Sequence, residues 1–156
     1  MRKHKQLWVA ITDGEHSRIV VPDRTAGSFR TREAVDSVAA HKRAGELATD
    51  KPGRAFESSG AARHAVAPKH DPHELAEERF EHFVADQLNK ASAEGLFDEL
   101  VLIAPPKAMP HIRERLDHGT AEKLIGALTK DLIKVSDHDL DTHLAEWARP
   151  AQQAES

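Results

Sequence analysis

Apolar residues along this chain fall into short blocks separated by turn-forming polar clusters. Leu7-Trp8-Val9-Ala10-Ile11 is continuous and partly β-branched, which predicts a buried strand. Thr12-Asp13-Gly14-Glu15 supplies turn chemistry, and His16–Pro22 (HSRIVVP) reads as a second strand. So tight a connection favours an antiparallel pair. After another turn at Asp23–Ser28, Phe29–Val38 predicts a third, wetter strand. Arg30 and Arg32 would share one face, and Phe29, Thr31 and Glu33 the other.

Further along, the period becomes helical. In Asp71-Pro72-His73-Glu74, Asp serves as N-cap, Pro takes the first helical position and Glu reaches back from the third. Ala76, Phe80, Phe83, Val84, Gln87 and Ala91 recur at helical spacing, which turns Glu77, Glu78, Glu81 and Asp86 toward water. Gly95 suits the left-handed residue that ends such a helix. Phe97–Ala104 (FDELVLIA) is the strongest strand, and its unbroken Leu100–Ala104 run predicts a central position covered on both faces. Pro105-Pro106 stops it. A short helix follows, with Met109, Ile112 and Leu116 on one face and Gly119 as its end.

Ala121–Lys134 (AEKLIGALTKDLIK) fits either a strand or a helix. A strand near Lys123–Leu128 is preferred, because turn-like residues flank it and a separate helix start, Ser136-Asp137-His138-Asp139, comes later. Leu140, Leu144 and Trp147 share a face of that last helix. The elements add up to a single α/β domain over residues 1–149. It holds a mixed sheet of about five strands with an antiparallel start, flanked by helices. Residues 150–156 form a polar tail.

One stretch has neither period. Residues 39–70 connect the third strand to the long helix, and connections of that length are uncommon in compact domains unless functional or disordered. Lys42, Arg43, Lys51, Arg54, Arg63 and Lys69 oppose Glu46, Asp50 and Glu57, so the stretch carries +3 within a chain of net charge −4. Pro52-Gly53 forces a turn and permits close backbone approach, with Lys51 and Arg54 on either side. Arg63-His64 adds charge from the returning limb. Lys42, Arg43, Lys51, Gly53, Arg54, Arg63 and His64 are therefore the candidate ligand-binding residues, suited to phosphate or RNA. Phe56 is the sole aromatic there, so base stacking is poorly supplied. The plain alternative is a solvated loop.

Composition narrows the classes. Charged residues at 31% against 39% apolar predict a wet, soluble surface, and the absence of cysteine removes disulfides, thiolate nucleophiles and thiolate metal sites. With neither a secretory leader nor a membrane span in the sequence, a cytoplasmic location is expected. The weakly acidic balance argues against non-specific DNA coating, but not against a local basic patch.

Other chemistry is weaker. Asp13 ends the first strand, where a ribonuclease H-like nuclease carries a metal-binding aspartate, and Glu74, Glu77, Glu78 or Glu81 would have to supply its partners. A turn role for Asp13 is the simpler reading. His70 and His73, with His64 upstream, do not make a recognisable ligand set, and no metal or cofactor is expected. Ser58 and Ser59 lack a nucleophile elbow. Walker-type and dinucleotide-binding glycine motifs are both missing.

Several strings together resemble the bacterial host-attachment protein family: Trp8-Val9 through Asp13-Gly14, Thr49–Phe56 (TDKPGRAF), Phe97–Pro106 (FDELVLIAPP) and Lys130-Asp131-Leu132. The similarity spans roughly residues 6–147. That family is grouped with relatives of the archaeo-eukaryotic peptide-chain release factor, whose middle domain is ribonuclease H-like. The resemblance implies that fold and a loop, ahead of the long helix, aimed at ribosomal RNA or the ribosome. The release factor's Gly-Gly-Gln is absent from the corresponding Arg54–Arg63 (RAFESSGAAR), which speaks against peptide release. Three readings follow: a non-catalytic RNA- or ribosome-binding module, a metal-dependent hydrolase using Asp13, or a protein-interaction factor affecting attachment indirectly.

Overall fold

A computed structural model describes residues 5–23, 25, 27–40 and 72–145. Strands β1 (Leu7–Thr12), β2 (His16–Asp23) and β3 (Ser28–Asp36) come first. Helix α1 (Pro72–Ala93) leads into β4 (Glu99–Ala104), and two short helices, α2 (Met109–Arg115) and α3 (His118–Glu122), lead into β5 (Leu124–Thr129). Helix α4 (Leu140–Leu144) is the last described element. The strands form one sheet in the order β3-β2-β1-β4-β5, antiparallel across β1–β2 and β2–β3 and parallel across β1–β4 and β4–β5. This is the expected mixed α/β sheet with an antiparallel start, flanked by helices.

The two apolar runs became the two innermost strands because helices or loops cover both their faces. Trp8, Ala10, Leu100, Leu102 and Ala104 pack with Phe80, Val84 and Leu88 of α1 and with Met109 and Ile112 of α2. Val9, Ile11, Val101 and Ile103 face the other way, onto Leu132, Leu140 and Leu144. Every residue of β1 is buried, which explains the lack of polar alternation. Helix α1 ends as its sequence predicts: Gly95 has φ +74°, its N–H bonds the Ser92 carbonyl, and Leu96 N–H reaches back to Ala91.

Four local expectations change. Strand β3 stops at Asp36, and residues 37–40 are helical. A bulge opposite Ile19/Val20 reverses the face alternation of β3, so Thr31 pairs with Val20 while Glu33 pairs with Ile19 on the opposite side. Arg32 is the extra residue, and its guanidinium lies 5.1 Å from the Trp8 ring centroid. Gly119 does not close a helix. It lies inside α3, whose N-cap Asp117 accepts the Thr120 N–H. Finally, Glu81 of α1 is buried rather than solvated, and Ala76 is exposed. The proposed N-cap Asp71, Trp147 and the 150–156 tail lie outside the described residues.

Candidate functional site

In a sheet whose central strands run parallel, the loops after the strand C-termini diverge and leave a crevice. Here β1 and β4 end side by side, and a cleft of about 210 Å³ opens between the Asp13–Glu15 turn, the first turns of α1 and Pro105–Ala108 after β4. Its charged lining is Asp13, Glu15, Glu77, Glu81 and Lys107.

The turn is held by Asp13 itself. One carboxylate oxygen accepts from Glu15 N–H at 2.8 Å and His16 N–H at 2.7 Å, and Thr12 Oγ1 donates to the His16 carbonyl at 2.9 Å. The aspartate is thus committed to closing the β1–β2 hairpin. It does meet Glu77 and Glu81 in one cleft, as the hydrolase reading required. The other two helix acids are otherwise engaged: Lys107 donates to Glu74 at 3.2 Å, and Glu78 lies 3.8 Å from His82.

Behind the rim lies a buried pair. Glu81 is 4% exposed, and its Oε1 stands 2.6 Å from His111 Nδ1 of α2. Burial pushes the Glu81 carboxyl above its ordinary range, partly offset by the hydrogen bond from His111. The same hydrogen bond holds His111 above its ordinary value, against a smaller opposing effect of burial. At the mouth, His73 lies 3.2 Å from Glu77 and 3.9 Å from Glu15.

Glu15 ties the rim to both ends of the long connection. Its carbonyl accepts Ser37 N–H at 2.7 Å where β3 ends, and its carboxylate meets His73 where α1 begins. The described elements on either side of the long connection therefore meet at one residue of the β1–β2 turn. Lys42, Arg43, Lys51, Gly53, Arg54, Arg63 and His64, with Ser58, Ser59 and His70, lie outside the described residues. Sequence reading overlooked Glu15, Lys107 and His111. His73/Glu77 was discoverable as an i,i+4 pair, but nothing local marks Glu15 or His111 as their neighbours.

The architecture is that of release-factor domains: an open, mixed five-stranded sheet with helices on both faces. The chain also matches the family model described as "Protein required for attachment to host cells" over residues 8–144, so it belongs to that family. Among solved structures it is similar to the crystal structure of an archaeal translation termination factor, aRF1, with TM-score 0.52 and 11% identity. That alignment covers 96% of this chain and 37% of the archaeal one, so the present chain spans little more than a third of that factor's length. A second similar structure, described as an archaeal protein, has TM-score 0.47 and 11% identity over 96% of this chain and 36% of that one. No curated protein matches the chain.

Proposed function

We propose that this host-attachment-family protein is a non-catalytic RNA-binding module, associated with the ribosome, that makes contact through its basic 41–70 segment. The observation that carries the reading is the anchoring at Glu15. Ser37 and His73, on either side of a segment rich in lysine and arginine, both contact this one turn at the strand C-terminal end of the sheet. The rim itself is acid-rich, with Asp13, Glu15, Glu77 and Glu81 in one cleft. Such a surface repels phosphate, so contact falls to the segment's own cations, Lys42, Arg43, Lys51, Arg54 and Arg63, with Gly53 allowing close approach and His64 adding a donor. The commitment of Asp13 to the hairpin and the absence of Gly-Gly-Gln favour binding over reaction. A cytoplasmic location belongs to the same reading.

The test is co-sedimentation with ribosomes across a salt series, comparing the parent with the Lys51→Ala/Arg54→Ala double variant. The parent should pellet at low salt and be released as salt rises, and losing two phosphate contacts should lower the log–log salt slope by about two. Absent or salt-indifferent association would overturn the reading. Magnesium-dependent RNA cleavage abolished by Asp13→Asn would replace it with a hydrolase, and a partner retained after nuclease treatment would replace it with a protein-interaction role.

A further inference from the structure

The rim carries a cluster that RNA contact leaves unused. Glu15 comes from the β1–β2 turn, while His73 and Glu77 stand one turn apart at the start of α1. One side-chain oxygen or nitrogen from each lies within 4.8 Å of the other two. We propose that Glu15, His73 and Glu77 form a binding site for a divalent transition-metal ion of the zinc type, at the mouth of the acidic cleft.

The donor set argues for this class. Two carboxylate oxygens and an imidazole nitrogen suit zinc and its first-row neighbours, whereas magnesium and calcium favour oxygen alone. A tetrahedral ion with bonds of about 2.0–2.1 Å sets its ligand atoms about 3.3 Å apart. The His73–Glu77 separation of 3.2 Å already fits, while Glu15, 3.9 Å from His73 and within 4.8 Å of Glu77 on an exposed turn, closes in by side-chain rotation. Three protein ligands leave one position open, as in zinc sites that exchange their fourth ligand.

Two observations outside the trio point the same way. Residue 14 has no side chain where one would collide: a Cβ there would stand 2.8 Å from Glu77 Cγ and 2.9 Å from its Oε2. Glycine at this position is what lets the Glu77 carboxylate lie against the turn beside Glu15. Deeper in the same cleft, the almost fully buried Glu81 adds a further carboxylate, hydrogen-bonded to His111. Another carboxylate directly behind the trio adds to the negative field that draws a cation to this mouth.

The full chain, stripped with a chelator, should bind one equivalent of zinc chloride by isothermal titration. His73→Ala and Glu77→Gln should each weaken binding at least tenfold. His118→Ala should leave it unchanged, since it removes a pair of the same i,i+4 spacing (His118–Glu122, 3.2 Å) that lies away from the cleft. Magnesium chloride at equal concentration should not compete. By NMR, the His73 ring nitrogens should shift on zinc addition while those of His118 stay in place. No binding, equal affinity in the parent and the two cleft variants, or equal competition by magnesium would overturn the site. Ribosome co-sedimentation reads a separate property, so this proposal and the RNA reading fail independently.

Discussion

A carboxylate buried as deeply as Glu81 must keep either a cation or a proton close by, and His111 at 2.6 Å can provide both. The two pKa shifts act on stability in the same sense. His111 lies above its ordinary 6.5, so its stabilising contribution is complete below that pH and is lost as pH rises through the folded-state value. Glu81 lies above its ordinary 4.5, so the folded state holds the proton longer and stability also falls as pH climbs through that lower window. His111→Ala should therefore destabilise the protein by about 1–2 kcal/mol at pH 6, a figure kept modest because the imidazole is partly solvated. Urea midpoints from pH 5.5 to 8.5 check this: the parent should lose stability above pH 6.5, and the variant should show a shallower decline. This pair marks the limit of local pattern. Glu77, Glu78 and Glu81 look alike on a helical wheel, and only the return of α2, thirty residues later, decides which of them is buried.

Among the elements, the strands were legible and their edges were not. The β1 and β4 runs are apolar throughout, and that is sufficient to make them central. The bulge in β3 follows from its pairing with β2, which no single-strand pattern contains. Ser136–Asp139 reads as a helix start, and Ser136 Oγ does accept the Asp139 N–H. Asp137 has a larger role: it accepts from Thr31 N–H at 2.8 Å, from Thr31 Oγ1 at 2.7 Å and from Arg18 at 3.2 Å. Arg18 also donates to the carbonyls of Leu132 and Val135, so the loop before α4 is clamped onto β2 and β3. Burial pushes the Arg18 guanidinium below its ordinary value while Asp137 pulls it back. Asp137→Ala should cost about 2–3 kcal/mol by urea unfolding, and Asp137→Asn less, because the amide oxygen still accepts from Thr31. Gly95→Ala should cost about 1 kcal/mol in the same assay, since φ +74° is strained for any residue with a Cβ.

For the whole molecule, the question is whether the body and its basic segment are separable. The sequence identified the segment by its missing period and its local charge, but not that Ser37 and His73 on either side of it would both contact Glu15. Flanking residues that meet at one turn need little chain to join them, and loop closure costs only slightly more for a long connection than for a short one. Replacing residues 41–70 with a flexible Gly/Ser linker of about eight residues, which spans about 16 Å on average, should leave the near-ultraviolet circular dichroism of Trp8 against Phe97 intact. Thermal unfolding should stay cooperative, with its midpoint within a few degrees of the parent. Ribosome co-sedimentation should be lost, because the lining that remains is dominated by Asp13, Glu15, Glu77 and Glu81. A shortened chain that no longer melts cooperatively would mean that the segment completes the core. One that folds and still sediments would move RNA contact onto the body.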